Sequence, residues 1–219
     1  AYVSYTEICK PQTNRDRDGR MLAPTSGRNV EFGVKGTYFD GRVNASIAVF
    51  KSWLDNVGQI DPGRLLPDGT QAYFAANGTT SRGVEIDLQG EILPGWNTYA
   101  GFAHFVAESV GGGRLNAELP RTSGRIFSTY RLPGPLRALT VGGGVNWRSA
   151  SFEPAASPLG PVQARQAPYA LVSLMARYDL SARADLSLKV NNLTDRRYTV
   201  VNGFFNQVLF GEPRNAMLA

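Results

Sequence analysis

The sequence predicts an all-β fold of antiparallel strands, arranged as in a transmembrane β-barrel. Three observations carry this. Apolar and polar residues alternate with a period of two through much of the chain. The alternating segments, about ten in number, run to roughly 9–11 residues, the length of a tilted strand that crosses a bilayer. The connections between them are short and long in turn, the layout of tight periplasmic turns and long external loops.

Taken in order, Ala1-Tyr2-Val3-Ser4-Tyr5 reads as the middle of a strand and not as a targeting segment, so the chain is expected to be cut from a longer one. The second strand puts Val30, Phe32, Val34 and Tyr38 on one face and Glu31, Lys35 and Thr37 on the other. Asp40-Gly41 is a hairpin signal. The third strand opposes Val43, Ala45, Ile47 and Val49 to Asn44 and Ser46. Val84, Ile86 and Leu88 then alternate with Glu85, Asp87 and Gln89, and Pro94-Gly95 turns the chain into Trp96 to Val106.

Further on, Leu139, Val141, Val145 and Trp147 oppose Thr140, Asn146 and Arg148. Val172, Leu174, Ala176 and Tyr178 oppose Ser173, Arg177 and Asp179, and Leu186, Leu188 and Val190 oppose Ser187, Lys189 and Asn191. Helical periodicity is absent. Gly142-Gly143-Gly144 lies within a strand pattern, so it is not a phosphate-cradling loop, which needs a helix after it. Two further short turns are expected at Pro133-Gly134-Pro135 and Ser181-Ala182-Arg183. Long loops are expected over Lys10 to Gly27, Asp55 to Thr80, Glu108 to Arg121, Ser149 to Gln166 and Leu193 to Gln207.

Composition excludes several classes. No run approaches the roughly 18 apolar residues of a spanning helix. A barrel needs no such run, and a mean hydropathy of -0.22 is compatible with one. The 23 Lys and Arg against 18 Asp and Glu give +5, but the cations are scattered and form no nucleic-acid stripe. The lone Cys9 allows no intrachain disulfide and is expected to be a small buried apolar residue. With His104 as the single histidine, no zinc site can be assembled, and no metal site is expected.

Asn14-Arg15-Asp16-Arg17-Asp18-Gly19 mimics the start of a calcium loop, but Thr25 stands where the required Glu belongs and two arginines interrupt the acids. Glu85 and Asp87 lie on one strand face about 7 Å apart. A charged lumen explains them more simply than a hydrolytic pair.

Mid-strand charges (Glu31, Lys35, Glu85, Asp87, Arg177, Lys189) fit a wet lumen, and Tyr38, Phe39, Trp96, Tyr130, Trp147 and Tyr178 fit interfacial girdles. Periodicity alone also admits a soluble β-sandwich, with the charges in water and the aromatics in a core.

Longer stretches then resemble one family. Tyr5-Thr6-Glu7-Ile8-Cys9-Lys10-Pro11-Gln12 is similar to the Y-x-E-x-F-K-P-Q stretch of TonB-dependent siderophore receptors, with Cys9 in place of the usual Phe. Asn29 to Gly36, with Pro24 and Gly27 before it, resembles their next strand. Ser81-Arg82-Gly83-Val84-Glu85 resembles S-x-G-x-E, and Asn191-Asn192-Leu193-Thr194-Asp195-Arg196-Arg197-Tyr198 resembles N-N-L-x-D-x-x-Y. Gly211-Glu212-Pro213-Arg214-Asn215 resembles the start of the family's last strand. The matches run in order over nearly the whole chain.

The resemblance implies an outer-membrane barrel of about 22 strands filled by a plug. Residues 1–219 would supply about its last ten strands, with the plug, the TonB-contacting segment and the terminal aromatic absent. It implies uptake of a ferric siderophore energised through TonB by way of the plug, with no enzymatic step. No cofactor is implied, and iron enters only inside the bound siderophore. Outer-membrane lipid is the other partner implied; nucleic acid is not.

Ligand contacts would come from aromatics and cations at external strand ends and loops. The candidates are Tyr73, Phe74, Trp147, Arg148, Phe152, Tyr198, Phe204, Phe205 and Phe210. His104, in register with Phe102 and Ala100, is expected in the girdle. Two competing functions are a barrel enzyme, which would need a base such as His104 beside a nucleophile, and a passive porin.

Overall fold

A computed structural model of the chain describes residues 1–109, 111–115, 117, 119–157, 160–202 and 207–219. Its strands are β1 (Tyr2–Lys10), β2 (Thr25–Tyr38), β3 (Val43–Asp55), β4 (Val57–Leu65), β5 (Gln71–Ala76), β6 (Thr79–Leu93), β7 (Trp96–Glu108), β8 (Thr122–Arg131), β9 (Leu139–Arg148), β10 (Ser151–Ser157), β11 (Gly160–Gln166), β12 (Tyr169–Ser181), β13 (Ala184–Asn191), β14 (Thr199–Asn202), β15 (Gln207–Phe210) and β16 (Asn215–Leu218). One turn of 3-10 helix, Gly134–Leu136, joins β8 to β9, and no α-helix occurs among the described residues.

Ten strands form one sheet in the order β1-β2-β3-β6-β7-β8-β9-β12-β13-β16. The remaining six pair as hairpins: β4 with β5, β10 with β11, and β14 with β15. The pairings β1/β2, β7/β8, β8/β9 and β9/β12 are antiparallel and run without interruption. The β12/β13 register shifts once, between Asp179 and Ser181.

Register sets the two faces. Ala100 lies opposite Ile126, Ile126 opposite Val145, and Val145 opposite Val172, which makes one row apolar. The next row up the strands, Gly101-Arg125-Asn146-Leu171, lies on the other face and carries the polar Arg125 and Asn146. The apolar face is open. Phe102, Ile126, Trp147, Leu174 and Leu186 are 38–49% exposed.

Buried hydrophobics among the described residues are confined to Val43, Leu66, Ala72, Ala107, Ala117 and Tyr169. A soluble sandwich would cover the apolar face with a second sheet. Among the described residues nothing covers it, so the solvent that suits these side chains is hydrocarbon.

The chain divides into two compact units, Ala1–Val34 with Ala48–Val84 and Phe105–Asn116, and Lys35–Ile47 with Glu85–His104 and Ala117–Ala219. The first contains β1, β4, β5 and the connection 11–24. The second contains the four short turns. In one of these, Gly95 takes φ 78°, a left-handed value that suits glycine, and its N–H donates to Glu91 Oε1 at 2.7 Å.

The structure corrects two expectations. Long loops were expected over Asp55 to Thr80, Ser149 to Gln166 and Leu193 to Gln207; the first two each contain an antiparallel hairpin, β14 in the third pairs with β15, which continues past Gln207 to Phe210, and β2 and β6 begin early, at Thr25 and Thr79. The β4/β5 register slips between Ile60 and Leu65, around Pro62, which breaks the alternation that would have revealed it.

Second, Cys9 is exposed, not buried. It shares the outward face of β1 with Val3 and Tyr5 but pairs with Ser26, one row beyond the Glu7–Arg28 pair and next to the connection 11–24, so no core covers it. In the calcium-like loop, where no metal site was expected, Asp16 and Arg17 have partners within the chain. Asp16 Oδ1 accepts the N–H groups of Asp18 and Arg20 at 3.0 and 2.9 Å, and Arg17 pairs with Asp61 at 3.2 Å.

Candidate functional site

In the first unit, the hairpin β4/β5 is tied to the connection 11–24. Tyr73 N–H donates to the Arg15 carbonyl at 2.8 Å, and Arg15 Nη1 lies 3.6 Å from Asp68 Oδ2. Gln71 Nε2 gathers the carbonyls of Asp61 and Arg64 at 2.9 and 2.8 Å. At the base, Gln12 Nε2 donates to the carbonyls of Ala23 and Asn56, the latter at 2.8 Å. Thr25 Oγ1 reaches the same Asn56 carbonyl at 3.3 Å. Gln12 thus closes the loop that follows the Lys10-Pro11-Gln12 stretch. Of the two candidates here, Tyr73 is half-buried and pairs with Ile60, while Phe74 is exposed and pairs with Gln59.

At the hairpin tip, Thr70 donates to Asp68 Oδ1 through Oγ1 at 2.6 Å and through its N–H at 3.0 Å. The Thr70 hydroxyl and then its N–H hold the Asp68 carboxyl below its ordinary value, with Arg15 adding to the effect.

In the second unit, three aromatic or cationic side chains converge on the polar face. Arg148 pairs across the sheet with Ser123 and Tyr169. The Tyr169 ring, 7% exposed, stacks on Tyr198 with centroids 4.7 Å apart and planes at 25°. Gln166 Oε1 accepts both the N–H and the Oγ1 of Thr199 at 2.7 Å, fixing the strand that follows Tyr198.

Lower on the same face, Arg125 donates to Tyr99 Oη, with its guanidinium 4.8 Å from the centre of that ring. Asp87 Oδ1 and Arg125 Nε approach within 3.2 and 3.1 Å of the position a Gly101 Cβ would take, so Gly101 leaves the polar wall open between them.

The last two sequence motifs bind each other. Asn192 Nδ2 donates to the carbonyls of Arg196 and Glu212, both at 3.0 Å, and its Oδ1 accepts Arg196 N–H at 2.8 Å. Asp195 Oδ1 accepts Arg214 N–H at 3.0 Å, and Gly211 N–H donates to the Tyr198 carbonyl at 2.9 Å. The Tyr198 ring lies directly against Gly211, where any side chain would clash. The two motifs form a clamp that orients Tyr198.

The candidates therefore divide. Arg148 and Tyr198 come together through Tyr169. Trp147, one residue from Arg148, points the other way, where Ile86, Leu88, Phe102, Ile126 and Val145 surround a depression of about 340 Å³ above Gly124. That is a girdle position. Phe152 anchors its hairpin, its N–H donating to the Ala117 carbonyl at 2.9 Å. Phe210 is 89% exposed opposite Thr199. Phe204 and Phe205 lie outside the described residues.

Sequence reasoning missed Tyr169 and Gln166. Tyr169 could have been found as a residue in step with Ser173 and Arg177 on the polar side of β12. Nothing local marks Gln166. His104 Nδ1 sits 2.7 Å from Thr122 Oγ1, on the face of Phe102 and Ala100. No three His, Cys, Asp or Glu side chains gather as a metal site among the described residues.

Comparison with known proteins agrees with this geometry. Residues 1–193 match the family described as TonB dependent receptor-like, beta-barrel. The ferric-pyoverdine 358 receptor of Pseudomonas putida is 41% identical over 218 residues, covering 98% of this chain and 26% of that receptor. The ferripyoverdine receptor of Pseudomonas aeruginosa is 34% identical over 226 residues, covering 100% of this chain and 28% of the receptor.

A crystal structure of the ferripyoverdine receptor of the outer membrane of Pseudomonas aeruginosa, bound to ferripyoverdine, superposes with a TM-score of 0.90. It is 34% identical, and the match covers 99% of this chain and 30% of that one. The chain thus spans under a third of the length of these relatives. With the family matched from Ala1 into the last sheet strands, and a sheet whose apolar face needs lipid, the chain belongs to the β-barrel family of TonB-dependent receptors of the outer membrane.

Proposed function

We propose that this chain forms barrel wall and external loops of a receptor that imports a ferric siderophore of the pyoverdine class across the outer membrane, energised through TonB. The relatives named above support the ligand class. The observation that carries the reading at residue level is the Arg148–Tyr169–Tyr198 group on the polar face, beside long loops. A ferric siderophore is a compact chelate with polar edges and apolar stems. The half-buried Tyr198, backed by the buried Tyr169, offers it a ring edge and a hydroxyl, and the Arg148 guanidinium offers charge-assisted hydrogen bonds.

No bond is made or broken in this role. The wall contributes a preorganised surface, because Asn192 and Asp195 fix the segment bearing Tyr198 before ligand arrives. TonB would act through a plug domain, and iron would travel inside its chelator, with no resident cofactor. This reading gives no role in hydrolysis to His104, whose Nδ1 lies 2.7 Å from Thr122 Oγ1 at the strand end.

The test is uptake of radioactive ferric pyoverdine by cells whose only pyoverdine receptor carries this chain. Uptake is expected to saturate, to stop when TonB is deleted, and to need several-fold more ligand in Arg148→Ala or Tyr198→Ala. His104→Ala is expected to transport normally. Uptake that persists without TonB, growing linearly with concentration, would make the protein a passive pore.

A further inference from the structure

The outward face of the first unit changes character where β1, β2 and β3 approach the long connections. Val3 pairs with Phe32 and Tyr5 with Val30, an apolar band. One row further on, Glu7 pairs with Arg28. On β3 the same face carries Val49, then Lys51, then Trp53. The opposite face is fixed by Ser52 Oγ, which donates to Asn29 Oδ1 at 2.7 Å. Arg28 and Lys51 both lie over the Trp53 ring, with the Arg28 Cζ 5.2 Å and the Lys51 Nζ 4.9 Å from its centroid. Both cations are exposed, and neither forms an ion pair with a described carboxylate. Glu7, the one acid directly across from Arg28, lies near the Tyr5 hydroxyl instead, at 3.5 Å.

We propose that Arg28 and Lys51, held over Trp53, form a docking site for the phosphate of a glycolipid in the external leaflet. Depth is the first argument. An indole directly above an apolar band marks the level of headgroups, and the long loops beyond mark the external side. Chemistry is the second. A guanidinium and an ammonium on the membrane side have no aqueous lumen to face, and a lipid phosphate offers each a charge-assisted hydrogen bond. Preorganisation is the third. Cation–π contact with Trp53 holds both long side chains in place, which lowers the entropy lost on binding. The aromatic surfaces of Trp53 and Tyr5 suit the C–H faces of sugar rings, which favours a glycolipid over a glycerophospholipid. The site uses no residue of the Arg148 group, so it stands whatever ligand is imported.

The experiment uses the detergent-purified outer-membrane protein that carries this chain. Retention of diphosphorylated lipid A, dephosphorylated lipid A and phosphatidylglycerol is measured by native mass spectrometry. Diphosphorylated lipid A is expected to be held at least about tenfold more tightly than the other two, and Arg28→Gln with Lys51→Gln to remove that advantage. Equal retention of lipid A by wild type and double variant overturns the proposal, as does phosphatidylglycerol bound as tightly as lipid A. If the double variant fails to fold, the single variants decide. Each is expected to lose several-fold in retention while keeping wild-type thermal stability, and unchanged retention in both overturns the site.

Discussion

Asn192 Nδ2 donates to the carbonyl of Glu212, 20 residues further along the chain, at 3.0 Å. Asn192 is 5% exposed, has φ 48°, and also accepts from Arg196 N–H. Asparagine tolerates this left-handed backbone better than most residues, and its amide satisfies a donor and two acceptors at once. Asn192→Ala leaves those groups unpaired at a buried site and is expected to cost about 1–3 kcal/mol. Asn192→Asp keeps the acceptor for Arg196 but sets a carboxylate against the carbonyl oxygens of Arg196 and Glu212 at a buried site, and is expected to cost at least as much as alanine. Thermal unfolding in detergent, with limited proteolysis after Arg196 or Arg197, checks both. Local cleavage is expected to rise more than global melting falls, because the clamp orders one loop.

The hairpin β4/β5 gives a pH prediction. Asp68 is held below its ordinary value of 3.8 by the hydroxyl and N–H of Thr70. A lowered carboxyl stabilises the folded form at pH above the ordinary value, and the contribution disappears as pH falls through the lowered one. The protection of the Thr70 amide, its exchange rate relative to the unfolded chain at the same pH, is therefore expected to hold from neutral pH down to about 4 and to fall below it. Asp68→Asn should exchange faster throughout and lose that pH dependence. The Arg15–Asp68 pair is half-exposed and adds little, so Arg15→Ala should leave the profile nearly unchanged.

The triple glycine of β9 is a packing device. A Cβ on Gly144 would stand 2.5 Å from the Ile126 carbonyl oxygen and 2.6 Å from Phe127 Cδ2. Phe127 lies over Gly144 on the polar face, as Tyr2 lies over Gly33. Gly124, by contrast, faces the open side, and its Cβ would meet nothing nearer than Phe102 Cδ2 at 3.9 Å. Gly144→Ala is thus expected to lower stability by about 1–3 kcal/mol through overpacking against backbone. Gly124→Ala should be neutral or gain up to about 1 kcal/mol by restricting the unfolded chain. Parallel melts of the two variants measure the difference.

Alternation made the sheet legible, because each strand repeats one physical rule: apolar toward lipid, polar toward the lumen. It placed Leu174 and Ser173, and Trp147 and Arg148, on opposite faces. It failed where the rule lapses. The Asp61-Pro62-Gly63 bulge hid β4, and exposed hairpins need no apolar face. Cys9 was misread because a lone thiol in a strand pattern does not record whether a core or an uncovered strand end receives it. Of the candidate site, Arg148 and Tyr198 were visible as residue types. Their link through Tyr169, and the Gln166 contact to Thr199 across 33 residues, depend on how loops return to the sheet, which no local pattern records.

The two faces of β12 supply the decisive substitution. Leu174 pairs with Gly143 and Val190 on the apolar side and is 46% exposed. Its neighbour Ser173 pairs with Gly144 on the polar side. Both lie near the middle of a strand of 13 residues, at similar depth. In a bilayer, Leu174→Lys places an ammonium in hydrocarbon and is expected to cost about 2–4 kcal/mol at the midplane. Ser173→Lys, facing a polar lumen, should cost no more than about 1 kcal/mol. In water the two exposed lysines would cost nearly the same. Folding free energies measured in phospholipid vesicles, with urea as denaturant, therefore test the sidedness of the whole sheet. A large penalty at Leu174 beside a small one at Ser173 is the expected result, and equal penalties would place the apolar face somewhere other than lipid.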